Sequence, residues 1–382
     1  VTLTDRSRRP GDALEGTLRG AFVLLMLYGF LVGVSLLETG IAGLGSGFQE
    51  GLLREIANPI SGLFAGIVLT VLVQSSSVST ATIVGLVGAG TLDVTLAVPM
   101  IMGANIGTTV TNTLASLGSI RRVDEFRRAF AAATMHDFFN LLAVAILMPL
   151  ELLTGFFSRT ALALTELVRG SEIDVSAGTS PLRTAVKAPV RLLSDLLEPL
   201  ALARWATAVI VLAVGLGIIF TALTLITRNM RELVKGSVER AMNRIVGQGG
   251  GSMGILVGVL VTVAVQSSSI TTSILVPLVA AGILTVRSAY PITLGANVGT
   301  TVTALIASLA VSRPEGLTIA LVHTLFNVTA LALIFPFRRI REVPILMAQR
   351  LAEVAIRHRS LVGAYLAGVF VIVPLVGIFL LP

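Results

Sequence analysis

The chain has 382 residues, of which 54% are hydrophobic and 13% charged, and its mean hydropathy is +0.91. Soluble domains carry about 25% charged residues, so this balance points to an integral membrane protein rather than a soluble enzyme. The net charge of +7 does not mark a nucleic-acid binder, because the arginines stand in short clusters between apolar runs. The absence of cysteine excludes disulfides, thiolate metal sites and a cysteine nucleophile.

Arg-rich loops belong on the cytoplasmic side, so the N-terminus, with "RSRR" at Arg6–Arg9, is expected inside. The first apolar run predicts a helix over about 20–37 that exits. It is long for a signal peptide and no A-x-A-like site follows it, so it reads as a retained helix. The stretch 38–58 carries Glu38, Glu50 and Glu55 against one Arg54 and fits an external linker. Residues 59–90 are apolar but are interrupted halfway by "QSSS" at Gln74–Ser77. Each half is shorter than the ~20 residues a span needs, which predicts a re-entrant hairpin. Spans over 95–119 and 129–150 follow, inward and outward, around "RRVDEFRR" at Arg121. The mixed, polar segment 151–204 stays outside with interfacial amphipathic helices, and 205–227 returns to the basic cluster that opens at Arg228. A second interrupted stretch, 254–282, then enters from inside. Spans over 288–309 and 317–337 place "RRIRE" at Arg338 inside. A last span, 361–381, leaves the C-terminus outside. The sequon Asn327-Val328-Thr329 lies within an apolar run and is a chance match.

The chain repeats itself. "TVLVQSSSVST" from Thr70 and "TVAVQSSSITT" from Thr262 are offset by 192, as are "GANIGTTVT" from Gly103 and "GANVGTTVT" from Gly295, and Pro99 and Pro291. "HDFFN" from His136 and "HTLFN" from His323 are offset by 187, one short gap later. The expected organisation is an N-terminal arm, helix and linker (1–58), repeat 1 (59–150), an external segment and connecting helix (151–227), repeat 2 (254–337), and an interfacial helix with the last span (338–382). Three full spans separate the two hairpins. That odd number inverts the copies, and inverted repeats with interrupted helices are the signature of secondary transporters. The fold class is therefore an all-α integral membrane protein with two inverted-topology repeats, each with a re-entrant hairpin carrying QSSS.

A lone serine in a membrane helix usually bonds backbone or a neighbouring helix. Four consecutive polar residues that break the helix at the same point of both copies are different, since non-helical backbone at membrane depth must be buried or line a cavity. Half-helix N-termini suit an anion, and hydroxyl and carbonyl oxygens suit hard cations. The motifs hold no charged residue, so they do not neutralise an anion alone, and cations must enter with it. The second motif adds glycines for close backbone approach to a ligand, with Asn105, Thr108 and Thr109 and their counterparts Asn297, Thr300 and Thr301. No lysine follows, so it is not a P-loop. His136 and His323 are proton carriers or structural residues bonded across helices, and the structural role is favoured. An intramembrane hydrolase using Ser76 with His136 is disfavoured, because one active site needs one nucleophile and the serines are duplicated.

The stretches "TVLVQSSSVST", "VPMIMGANIGTTVTNTLASL", "FRRAFAAATMHDFFNLL", "QSSSITTS", "AYPITLGANVGTTVTALIASLA" and "LVHTLFN" resemble the type II sodium-dependent phosphate cotransporters of animal epithelia and bacteria, over roughly 55–340. The resemblance implies a symporter importing inorganic phosphate with sodium across the plasma membrane. It assigns phosphate binding to Gln74, Ser75, Ser76, Ser77, Gln266, Ser267, Ser268 and Ser269. Candidate sodium ligands are Thr70, Gln74, Asn105, Thr108 and Thr109, with Thr262, Gln266, Asn297, Thr300 and Thr301. Other anions (a dicarboxylate, sulfate or arsenate) are the alternative cargo. The segment 151–204 is short and lacks the cysteines and sequons of animal members, which implies a bacterial form without the accessory domain of bacterial relatives.

Overall fold

A computed structural model describes residues 10–55, 58–170, 181–248 and 251–380. The first arginine cluster and residues 171–180 of the segment read as external lie outside that set. All regular structure among the described residues is helical. Two long helices, α1 (Pro10–Gly43) and α10 (Arg204–Gln248), pack along each other. Gly40 lies against the Leu212 backbone and Gly33 against Gly215 and Ile219, so the pair runs antiparallel. Small residues of this kind let membrane helices approach closely.

Between them come α2 (Ser46–Glu55), α3 (Pro59–Val73), α4 (Ser76–Gly88), α5 (Val94–Gly107), α6 (Val110–Ser116), α7 (Val123–Thr154), α8 (Phe156–Gly170) and α9 (Pro181–Leu197). After α10 follow α11 (Gly251–Val265), α12 (Ser268–Ala280), α13 (Val286–Ser308), α14 (Glu315–Ile334) and α15 (Arg338–Arg357). The chain closes with α16 (Ser360–Ala367), a π turn (Gly368–Ile372) and α17 (Val373–Leu380). The start of α3 is fixed by Asn58, whose side chain accepts from the Ile60 and Ser61 amides, and by Pro59, which needs no donor there.

Positions 192 apart take the same shape. α3 packs on α5 so closely that a Cβ at Gly66 would collide with the Met100 carbonyl, and one at Gly103 with the Leu63 carbonyl. α11 packs on α13 with the same contacts at Gly258, against Ile292, and at Gly295, against Ile255. Each face is a GxxxG pattern, Gly62/Gly66 on Gly103/Gly107 and Gly254/Gly258 on Gly295/Gly299. The glycines of the GAN motifs thus bring helix backbones together, where the sequence suggested close approach to a ligand.

Among the described residues, six helices are long and apolar enough to cross a membrane: 15–43, 94–119, 123–154, 204–233, 315–334 and 360–380. Seven full spans were expected. The one that falls short is α13, which has the length, 23 residues, but carries Arg287, Asn297 and four threonines. Most of α13 is buried by protein, so its polar groups bond internally and lipid-like hydropathy is not required of it. Helices α1, α7 and α10 also run past the expected spans at both ends, because charged residues continue a helix beyond the bilayer edge. α8, α9 and α15 are amphipathic, and α8 is capped by Glu151, which accepts from the amides of Phe157 (2.7 Å) and Ser158 (3.3 Å).

Candidate functional site

Each QSSS motif breaks a helix in the same way. Gln74 ends α3 and Gln266 follows α11, with left-handed φ values of 55° and 56°. The next serine caps the following helix: Ser75 accepts from the Val78 amide (3.3 Å) and Ser267 from the Ile270 amide (3.4 Å), both with φ −152°. Each glutamine folds its amide back on its own helix, donating to Val71 O (2.5 Å) or Val263 O (2.6 Å). Each also accepts from a threonine, Gln74 from Thr111 (3.5 Å) and Gln266 from Thr303 (2.9 Å). Those threonines are the last residues of the two quoted "GAN…TTVT" motifs, at the 192 offset. Sequence reasoning stopped short of them, although their place in the motif was visible.

The two tips meet. Ser77 Oγ donates to the Gln266 carbonyl at 3.2 Å, 189 residues away. Gln74, Ser75, Ser77, Gln266, Ser267 and Ser269 line one cavity of about 530 Å³. Ser76 and Ser268, also expected to bind phosphate, are buried and stand behind that wall. The Ser268 hydroxyl has no hydrogen-bond partner.

The rest of the wall includes α10, through Phe220, Leu223, Thr224, Thr227, Arg228, Arg231 and Glu232. Thr227 Oγ1 donates to Val265 O at 3.0 Å, which fixes α10 against the residue before Gln266. The arginines had served in the sequence only as a topology marker. Nothing in their spacing linked them to the motifs, which lie far away along the chain.

The other candidate sodium ligands do not line this cavity. Thr108 donates to Ala104 O (2.8 Å), Thr109 to Ile106 O (2.8 Å), Thr300 to Ala296 O (3.1 Å) and Thr301 to Val298 O (2.8 Å). Their protons are committed to their own helices, and the lone pairs stay available. Thr70 is buried with an unpartnered hydroxyl, while Thr262 donates to Thr271 (2.9 Å). The Asn105 side chain donates to Ile101 O (3.0 Å), and its backbone carbonyl accepts from Asn140 (2.7 Å). Asn297 donates to Asn140 Oδ1 (3.0 Å) and Asn327 Oδ1 (2.8 Å), and its own oxygen meets His136 Nε2 at 3.2 Å. This buried network ties the two halves behind the tips. It gives His136 a partner across helices, as a structural histidine has. His323 is equally buried, and its carbonyl accepts from Asn327 (3.1 Å). Beside His136, Asp137 accepts from Tyr365 (2.6 Å) and Thr113 (3.4 Å).

Comparison with known proteins gives a consistent picture. A family profile described as Na+/Pi-cotransporter matches residues 30–166 and 218–349. The sheep sodium-dependent phosphate transport protein 2A is 32% identical over 97% of this chain and 68% of its own length. The rat protein of the same name is 32% identical over 94% of this chain and 67% of its own length. The human sodium-dependent phosphate transport protein 2B is 30% identical over 93% of this chain and 64% of its own length. No solved structure matches the chain.

Proposed function

The chain belongs to the Na+/Pi-cotransporter family, and from that premise we propose that it is a sodium-coupled symporter importing inorganic phosphate by alternating access. It is a multi-pass membrane transporter and not an enzyme, and sodium is the co-transported ion. The observation that carries the reading is the meeting of both QSSS motifs at one cavity.

Phosphate sits against the tips, with Gln74, Ser75, Ser77, Gln266, Ser267 and Ser269 at the cavity and Ser76 and Ser268 behind it. The helix starts at Ser76 and Ser268 aim backbone donors at the anion. The tips themselves carry no formal charge, so bringing phosphate there without cations is costly in a low-dielectric setting. Sodium supplies that charge. The lone pairs of Thr70, Asn105, Thr108, Thr109, Thr262, Asn297, Thr300 and Thr301, together with Gln74 and Gln266, are its ligands. Residues 59–150 and 254–337 form the inverted repeats, and each QSSS break is the tip of a re-entrant hairpin. The N-terminus is cytoplasmic in a bacterial inner membrane, and the cavity opens toward the cytoplasm, where α10 carries its arginines.

The test is uptake of labelled phosphate into proteoliposomes. A sodium gradient drives accumulation, replacement of external sodium by choline abolishes it, and a proton gradient alone does not restore it. Accumulation driven by protons alone would sink the sodium coupling. An excess of unlabelled sulfate or dicarboxylate leaves uptake intact, whereas arsenate, with nearly the same shape as phosphate, competes.

A further inference from the structure

The geometry points to a second anion subsite on the wall of the same cavity, built by Arg228 and Arg231 of α10, which takes phosphate from the uncharged tips once sodium has left. It rests on the phosphate reading above and adds to the tips two residues that neither motif contains. Along α10 the cavity-facing residues change character in order. Phe220 and Leu223 are apolar, Thr224 and Thr227 carry hydroxyls, and Arg228 and Arg231 carry charge. Residues 224, 227, 228 and 231 share one helix face by their three- and four-residue spacing. The Thr227 bond to Val265 O anchors that face at the second tip. Arg228 and Arg231 follow within about one turn, which is roughly 5 Å of helix.

Neither guanidinium group is spent on a carboxylate of the described residues. Arg19, Arg122, Arg127, Arg287 and Arg313 pair with carboxylates at 2.6–3.6 Å, whereas Arg228 and Arg231 make no ion pair among the described residues. The carboxylate of Glu232 lines the cavity beside them, so the wall keeps one net positive charge. A phosphate held by hydroxyls and amides at the tips depends on sodium for its charge balance. When sodium dissociates, the nearest compensating charge is the arginine pair, whose planar forks match a phosphate's oxygens. The anion therefore moves along the wall instead of rebinding at the tips. Glu232 holds the subsite weak enough to release.

The test is equilibrium binding of labelled inorganic phosphate to the purified full chain, both in sodium and with sodium replaced by choline, at several ionic strengths. The double variant Arg228→Gln/Arg231→Gln is expected to weaken the sodium-free binding on the order of tenfold and to flatten its dependence on ionic strength. Arg228→Lys/Arg231→Lys keeps the salt dependence but recovers only part of the affinity, because an ammonium lacks the fork. Glu232→Gln moves the other way and tightens binding. All three sites are exposed on the cavity wall, and elution as a single species checks folding. Without sodium, wild-type affinity and salt dependence in the double glutamine variant would overturn the subsite, as would weaker binding in Glu232→Gln. A wild-type protein that binds no phosphate in sodium overturns the symport reading and the subsite with it. Normal wild-type binding with unaltered arginine variants removes the subsite alone.

Discussion

Gln74 and Gln266 occupy a backbone conformation that helix ends usually give to glycine, and a Cβ is disfavoured there by roughly 1–2 kcal/mol. Side-chain bonds to the preceding turn and to Thr111 or Thr303 hold them in it. Those holds are unequal, since the Thr303 bond is buried at 2.9 Å and the Thr111 bond is exposed at 3.5 Å. Thr303→Val is therefore expected to destabilise the purified protein by about 1–3 kcal/mol, the cost of an unsatisfied buried acceptor, and Thr111→Val by clearly less. Thermal unfolding in detergent reads the difference, and equal shifts would show that the tips are held by something else. The serines divide in the same way. Ser269→Ala removes a hydroxyl at the cavity wall, with a loss in phosphate affinity of about ten- to a hundredfold, and Ser77→Ala should lose less because its proton is donated to the Gln266 carbonyl. Ser76→Ala and Ser268→Ala should lose less, and the reverse order would place the anion behind the tips. At this scale the polar tetrads were legible from the sequence alone, because four polar residues in an apolar run have few explanations. Which serine faces the cavity was not legible, since that depends on how Ser75 and Ser267 turn into caps.

Helix contacts explain why glycine recurs beside the tips. The α3–α5 and α11–α13 pairs touch backbone to backbone at Gly66 and Gly103, and at Gly258 and Gly295. A methyl group at Gly66 or Gly258 has no space and meets backbone that cannot rotate away. Gly66→Ala and Gly258→Ala are each expected to cost about 1–3 kcal/mol, the usual range for overpacking. Gly118→Ala, where a Cβ meets nothing within 4 Å, should be neutral. Measured melting temperatures that rank Gly118→Ala with the other two would contradict this packing. The helix breaks were visible in the sequence at single-residue resolution, because Gln-Ser-Ser-Ser stops an apolar pattern abruptly. Helix ends beyond the bilayer were not, since a hydropathy window closes at the first charges while the helix of α10 continues through them to Gln248. The π turn at Gly368–Ile372 also left no mark in an unbroken apolar run.

For the molecule as a whole, the sequence displayed its duplication through the 192-residue offset, and its membrane nature through composition. It did not display the cavity, which the two QSSS breaks, α6 and α10 line together, because α10 shares no pattern with the repeats. Its sidedness can be measured directly, because the chain has no cysteine. Gly118 and Ser312 lie in equivalent loops, after α6 and after α13, and both are exposed. If the repeats are inverted, an impermeant thiol reagent labels Ser312→Cys on intact cells, and Gly118→Cys only after the membrane is opened. Labelling of both from one side would rule out inversion. The contact from Ser77 to the Gln266 carbonyl then acquires a meaning beyond adhesion. Two copies of one unit that trade shapes would also trade this bond, so the mirror arrangement has Ser269 donating to the Gln74 carbonyl. On the proposed alternating access, each serine would then latch only one of the two states. Removing Ser77 should raise the share of molecules facing the other way, and removing Ser269 should lower it. Thiol labelling of Thr224→Cys in the cavity would then fall in the first variant and rise in the second.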